Sequence, residues 1–240
     1  MFGYQMGTTK SGVNNLIKHL RTISDRHIAR QSAKFFKTGK GEYGEGDKFL
    51  GVRVPVLRKI AKEQINIDLT EVTELLASPF HEVRLLALFI LIERYNKASE
   101  QGKKLIANLY LSNTKCINSW DLVDSSAYKI LGDYLEHKDK SPLYKLVRSS
   151  NLWERRIAII ATLKFIWNGH FDDTIRLSEF LLKDNEDLIH KAVGWMLREV
   201  GKRNLERELD FLNRYFKVMP RTMLRYAIER LPQKMRYEYL

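Results

Sequence analysis

The sequence predicts an all-α protein, a curved α-solenoid in which helical hairpins stack into an α-α superhelix. Apolar residues recur at helical spacing, as in Leu177, Phe180 and Leu181, and no segment alternates as a strand would. Proline occurs only five times. We therefore expect one domain over residues 1–240, a right-handed stack of about six helical pairs.

The individual elements are predicted from their boundaries and from their apolar pattern. Ser78-Pro79 is typical of a helix start, with an N-cap serine before a first-turn proline. The helix that follows is apolar almost all round over residues 83–91, so we expect it to be buried. Gly169 and Gly201 indicate helix ends.

The glycine-rich stretch at residues 38–47 is the main irregular segment of the sequence. Its four glycines are compatible with a phosphate loop, but no Gly-Lys-Ser/Thr follows them. We interpret it as a flexible connection between the first helices.

A repeat is indicated by polar residues that each precede a small residue and an apolar run. These anchor residues are 32 to 40 positions apart, about the length of two helices with short turns. Because they recur once in each repeat, we expect them to line a single concave, positively charged face. Four are basic, and only Asp124 is acidic. The anchor residues are Arg84, Asp124, Arg156, Lys191 and Arg225.

The charge balance favours a polyanionic partner. The chain has 41 Lys and Arg against 29 Asp and Glu, a net charge of +12 and a pI near 9.6. The excess is concentrated in residues 1–40 and 213–236. Clustered basic charge attracts nucleic acid phosphates and also anionic membranes, so charge alone does not choose between them.

Several classes of protein are disfavoured by what the sequence lacks. Cys116 is the single cysteine, which excludes a disulfide framework and a paired-thiolate metal site. No His-Glu-x-x-His or Gly-x-Ser-x-Gly motif occurs, and no lysine is marked as a Schiff-base nucleophile. No secretory signal is visible, and the apolar run at residues 85–92 is too short to span a bilayer. We expect a soluble, cytoplasmic monomer that needs no metal or other cofactor and binds no membrane.

The most informative motif is Ser-Trp-Asp-Leu-Val-Asp at residues 119–124. Trp120 and Asp124 are four residues apart, so on a helix they share one face. An indole beside a carboxylate on a basic surface suits a polyanion that carries a local cation, such as DNA with an alkylated purine. Asp124 would stabilise the positive charge that grows on deoxyribose as the glycosidic bond breaks, and would orient the attacking water.

Three ordered motifs, at residues 119–133, 151–156 and 191–199, resemble the AlkD family, HEAT-like repeat DNA glycosylases that excise alkylated purines. The likeness begins near residue 50. It implies double-stranded DNA containing N3- or N7-alkylated purines as the partner, and excision without base flipping. It also implies catalytic roles for Trp120, Asp124 and Trp195, and a phosphate contact for Arg156. Phe35 aligns where the family has a tyrosine that helps to grip DNA.

Some assignments stay open at this level. Arg155 competes with Arg156 for the phosphate, because adjacent helical residues cannot both face one cleft. Asp121 is expected to stabilise a helix N-terminus, and Trp153 and Trp167 are expected in the core. For the whole chain the alternatives to a glycosylase are a non-catalytic DNA-binding repeat protein and a helical scaffold for an acidic protein. The predicted DNA-binding residues are Arg156, Arg155, Arg84, Lys191, Arg225 and Phe35.

Overall fold

The computed structural model describes residues 9–240, with side chains from Gly12 onward. The regular secondary structure of these residues is helical, and their only strand-like pairing is an isolated bridge between Lys48 and Phe80. The predicted all-α class is therefore confirmed. None of the helices that these residues form combines the length and the apolar character needed to cross a membrane.

The chain divides into two compact units, one ending at Leu122 and the other running from Val123 to Leu240. The helices of the first unit are α1 (Thr9–Thr22), α2 (Arg26–Phe35), α3 (Val54–Glu63), α4 (Leu69–Leu76), α5 (His81–Lys97) and α6 (Glu100–Ser112), with a 3₁₀ turn at Thr114–Cys116.

Helix α7 (Trp120–Ala127) contains the boundary between the units and continues into a π-helical turn at Tyr128–Gly132. The helices that follow are α8 (Asp133–Leu135), α9 (Ser141–Leu146), α10 (Leu152–Ala161), α11 (Leu163–Trp167), α12 (Asp172–Leu181), α13 (Asp187–Gly201), α14 (Leu205–Tyr215), α15 (Arg221–Ala227) and α16 (Gln233–Tyr239), with a 3₁₀ turn at Ile228–Arg230.

Helix α5 is the core of the first unit. Every residue from His81 to Ile92 is buried, and α3, α4 and α6 pack against the helix. This confirms the burial predicted from its apolar sequence. The predicted start is wrong by two residues. Phe80 is the N-cap, and Ser78 Oγ accepts a hydrogen bond from the Phe80 amide (3.1 Å) in the turn before it.

The first turn of α5 is polar although it is buried, and it binds the end of the glycine-rich connection. The carboxylate of Glu82 accepts hydrogen bonds from the amides of Leu50 (2.9 Å) and Gly51 (2.7 Å). Gly51 has φ +83°, and a Cβ there would lie 2.0 Å from the carbonyl oxygen of Asp25. Only glycine fits this close approach between the connection and the start of α2.

The connection at residues 38–47 is a series of hydrogen-bonded turns. Glu42 accepts a hydrogen bond from the Gly39 amide, and Glu45 accepts one from the Gly41 amide, both at 2.8 Å. The predicted connection between the first helices is thus present, and its carboxylates bind its own backbone.

Helix α13 is the centre of the second unit and packs against α10, α12, α14 and α15. Gly194 allows the close approach of α15, because a Cβ there would lie 2.4 Å from the Met223 carbonyl oxygen. Gly169 follows α11 with φ +83°, and Gly201 is the last residue of α13. Both predicted helix ends are confirmed.

The anchor residues occupy equivalent positions in their helices. Each is the fourth or fifth residue, in α5, α7, α10, α13 and α15 respectively. The spacing read from the sequence thus corresponds to a regular position along these helices, although the anchors differ in burial, as the next section describes.

Candidate functional site

Trp120 is half-buried in an aromatic cluster of the first unit. Phe36 stacks on its indole with ring centroids 5.3 Å apart and an interplanar angle of 18°. Phe35 meets the indole edge-on at 5.9 Å and is itself 66% exposed. Phe49 stacks on the other phenyl ring, that of Phe36, at 5.1 Å. An exposed phenyl group therefore lies beside the tryptophan predicted to act on the substrate.

His81 lies against this cluster, fully enclosed, and was missed by sequence reasoning. Nδ1 is 2.8 Å from a carboxylate oxygen of Asp47, and Nε2 is 2.8 Å from one of Asp121. Burial lowers the pKa of His81, but the hydrogen bonds to Asp121 and Asp47 outweigh burial and raise the pKa to about 9. The histidine is therefore an imidazolium at neutral pH.

Asp121 has a structural role, as expected, but through a different partner. It lies in the first turn of α7, where a negative charge is favourable. Its carboxylate accepts from the His81 ring and so ties α7 to α5.

Arg84 is buried and paired within the protein, and its assignment to DNA binding stays a prediction. It is 5% exposed, and its guanidinium donates to the Ser78 carbonyl (3.0 Å) and to Asp47 (2.8 Å). The two terminal nitrogens thus bind partners inside the protein, while the buried Nε has no hydrogen-bond partner among the described residues.

In the second unit, Asp124 and Arg156 form a bidentate ion pair. Arg156 Nε lies 2.9 Å from Asp124 Oδ1, and Nη2 lies 2.7 Å from Oδ2. The third nitrogen donates to the Leu188 carbonyl at the start of α13. The Arg156 side chain is 6% exposed, whereas that of Asp124 is 18% exposed. The guanidinium of Arg156 therefore positions Asp124, and its phosphate contact stays a prediction.

Arg155 is also occupied within the protein. Its Nε and Nη2 donate to the carboxylate of Asp184 at 2.6 and 3.2 Å, and Nη1 donates to the carbonyls of Ser149 and Ser150. Its assignment to DNA binding likewise stays a prediction. The two adjacent arginines of α10 thus each bind one aspartate.

Trp195 is half-buried in α13, and its Nε1–H donates to Glu199 Oε1 at 3.3 Å. Glu199 also accepts from Lys202 at 2.6 Å and from Arg203 at 3.2 Å. Burial raises the pKa of Glu199, but these hydrogen bonds outweigh it and hold the pKa below its ordinary value. The indole is therefore oriented by an ionised carboxylate. Of the other two tryptophans, Trp153 is buried as expected, while Trp167 is 46% exposed, so its core assignment is wrong.

Lys191 and Arg225 line one groove in the second unit, with a volume of about 820 Å³. Lys191 pairs with Asp187 at 2.7 Å, and this contact holds the pKa of Asp187 below its ordinary value. Arg221 and Arg236 line the same groove, so it carries four basic groups against two acidic ones, Asp187 and Glu229. Of the basic residues predicted to bind DNA, these two line the same solvent-accessible groove.

A family model described as "DNA alkylation repair enzyme" matches residues 16–231. The chain belongs to this family. Membership of the DNA alkylation repair family indicates that the protein takes part in repair of DNA alkylation damage. It also implies DNA as the binding partner. No curated protein matches the chain in sequence.

Two solved structures show the same fold. A predicted DNA alkylation repair enzyme from Enterococcus faecalis has 17% identity and a TM-score of 0.67, with 88% of this chain and 97% of that chain covered. AlkD2 from Streptococcus mutans has 18% identity and a TM-score of 0.50, with 93% and 99% covered. This supports an α-solenoid of HEAT-like repeats as the architecture of this alkylation repair family member.

Proposed function

We propose that the protein is a monofunctional DNA glycosylase that hydrolyses the N-glycosidic bond of cationic purines alkylated at N3 or N7. The substrates would be 3-methyladenine and 7-methylguanine in duplex DNA, attacked without base flipping by a monomer that uses no metal. The observation that carries the proposal is Asp124, whose carboxylate is partly exposed while both of its oxygens are held by Arg156.

The chemistry needs a fixed negative charge more than a proton donor. A purine alkylated at N3 or N7 is already cationic and leaves readily, so the developing charge lies on deoxyribose. The bidentate pair fixes the orientation of the Asp124 carboxylate before the substrate arrives, which is how preorganised electrostatic stabilisation works. One preorganised contact of this kind stabilises a transition state by about 3 kcal/mol. Arg156 partly offsets the field of the carboxylate, and in return it prevents rotation of the group.

The tryptophans have the properties needed to contact a cationic sugar or base. Indole faces are the best aromatic partners of cations. Trp120 is held by the stacked ring of Phe36, and Trp195 by its hydrogen bond to Glu199. The spacing of four residues between Trp120 and Asp124 within α7 supports a shared role.

Binding to the DNA backbone is assigned to the basic groove around Lys191 and Arg225, since Lys and Arg contact phosphates without reading sequence. Phe35 is exposed and apolar, and we assign to it a contact with sugar or base edges.

The deciding experiment is single-turnover release of 7-methylguanine from a methylated duplex, in buffer containing EDTA. Asp124→Asn keeps the shape and removes the charge, so release should slow by about a hundredfold or more. The matched control is Asp184→Asn, which weakens the equivalent pair of the neighbouring Arg155. We expect this control to lose some stability and to retain the rate. Equal rates for wild type and Asp124→Asn would remove the catalytic role.

A non-catalytic DNA-binding protein is the second candidate, and one observation favours it. A lone carboxylate would repel phosphates, but Arg156 neutralises Asp124, so the pair is tolerable in a protein that only grips DNA. If the protein only binds DNA, the wild type should bind methylated duplex tightly and should release no alkylated base. Under the same conditions, a scaffold for an acidic protein would bind no duplex.

A further inference from the structure

His81 is the most completely enclosed charged group beside Trp120, and the proposed chemistry gives it no part. The residue is 2% exposed, and each ring nitrogen lies 2.8 Å from a carboxylate oxygen. A neutral imidazole has one N–H and can donate to only one of the two carboxylates. Both contacts become hydrogen bonds only when the ring is doubly protonated, so the geometry selects the imidazolium.

The faces of the imidazole ring are covered by aromatic rings. Phe49 stacks on it at 4.6 Å and 21°, and Phe36 lies at 4.8 Å and 40°. Phenyl faces favour a cation, so these contacts also stabilise the charged ring. Phe36 then stacks on the indole of Trp120. His81 is connected to Trp120 by this stack and by Asp121, the next residue of α7.

We propose that His81 is a positioning residue for Trp120. Its imidazolium, clamped between Asp47 and Asp121, fixes the first turn of α7 and the ring of Phe36, and both hold the indole. An effect of this orientation on base excision rests on the proposed function of Trp120. The orientation of the indole by His81 does not depend on that function.

The charges around His81 explain why its proton matters. The ring faces Asp47 from the glycine-rich connection and Asp121 from α7, while Arg84, from the same helix as His81, shares Asp47. Two carboxylates and one guanidinium leave one negative charge, which the imidazolium neutralises. With the pKa of His81 at about 9, the clamp is intact at neutral pH and is lost as the pH rises through 9.

Fluorine NMR of protein labelled with 5-fluorotryptophan tests the orientation without any activity. The four tryptophans give four resonances, and the variant Trp120→Phe identifies the one from Trp120. In wild type we expect this resonance to move with a midpoint near pH 9 while the other three stay in place. In His81→Gln we expect it to be shifted already at pH 7. The control is His190→Gln, which removes a half-buried histidine of α13 that binds a backbone carbonyl.

The outcomes separate the two proposals. A Trp120 resonance that does not move up to pH 10 overturns the inference, even if His81→Gln fails to fold. If the resonance depends on His81 but wild type releases no alkylated base, the proposed function fails and the positioning role stands. If both hold, His81→Gln should slow release by about tenfold through misplacement of Trp120. His81→Gln should also leave the affinity for undamaged duplex within twofold.

Discussion

Arg156 donates to both carboxylate oxygens of Asp124, at 2.9 and 2.7 Å, and a third donor of the same guanidinium binds the start of α13. Two anchor residues of adjacent repeats are thus partners of each other. The arginine expected to hold a phosphate instead sets the direction of the carboxylate expected to face the sugar. Its role is tested by variants that keep the charge and change the geometry.

Arg156→Lys keeps the positive charge but loses the planar fork that holds both oxygens of Asp124. We expect release of 7-methylguanine to slow by about tenfold to a hundredfold, because the carboxylate is no longer fixed. Affinity for duplex DNA and its salt dependence should stay as in wild type. Arg155→Lys, one position earlier, is the control and should retain the rate. If Arg156→Lys loses affinity for duplex DNA while the rate of base release is unchanged, the result would instead support a phosphate contact for Arg156.

DNA affinity should fall steeply with salt, because its contacts are mostly Lys and Arg to phosphate. Lys191→Gln and Arg225→Gln in the basic groove should each reduce the slope of log K against log salt by about one. They should do so on any duplex sequence. Lys62→Gln, an exposed lysine of α3 outside the groove, is the control. If neither groove variant changes the slope of log K against log salt, the DNA phosphates do not bind in this groove.

Glu208 makes stability depend on pH. Burial raises the pKa of Glu208 to about 8, against an opposing effect of Arg198, and Oε1 has no hydrogen-bond partner among the described residues. A folded-state pKa above the unfolded value means that the folded protein binds the extra proton. The contribution of Glu208 to the free energy of unfolding is therefore full below pH 4.5 and falls as the pH rises through 8.

Glu208→Gln should remove that decline and raise the melting temperature most at pH 8 and above, as thermal unfolding across pH 5 to 9 would measure. Glu206→Gln changes an exposed carboxyl of the same helix and should leave the pH profile as it is. Parallel profiles for wild type and Glu208→Gln would contradict the prediction.

Two glycines with positive φ separate backbone strain from close packing. Gly51 has φ +83° and no room for a Cβ, whereas Gly41 has φ +77° and open space around it. Gly41→Ala should cost about 1 to 2 kcal/mol of unfolding free energy, the strain of the left-handed region. Gly51→Ala should cost more, since the chain must also move from Asp25. Urea denaturation measures both, and equal losses would show that the connection yields easily.

The helices and their repeat were predictable because their signals are local. The apolar run of α5 and the spacing of the anchors are visible in the sequence without knowledge of packing. The state of the charged anchors was not, since residue type alone predicts an exposed arginine. Arg156 pairs with Asp124 one repeat earlier, and opposite charges at equivalent positions of neighbouring repeats were the available signal. Arg84 pairs with none of the other anchors. Its partner Asp47 lies in the irregular glycine-rich connection, whose contacts cannot be predicted from helical periodicity.

His81 was missed because a single histidine before an apolar run indicates nothing by itself. Its partners come from the glycine-rich connection and from α7, and neither contact follows from helical spacing. The predicted helix start at Ser78 also obscured it, because that assignment leaves residue 81 inside the helix and not at its first position.

The binding of residues 47–51 by the first turn of α5 makes the connection and the helix one cooperative element. If that segment detached, His81, Glu82 and Arg84 would lose partners inside the core at the same moment. Local opening is therefore as costly there as in the helix, although the segment has no regular structure. The amide protons of Leu50 and Gly51 should exchange with solvent as slowly as those in the middle of α5. Substitutions in residues 47–51 and in the first turn of α5 should accordingly co-vary among homologous sequences.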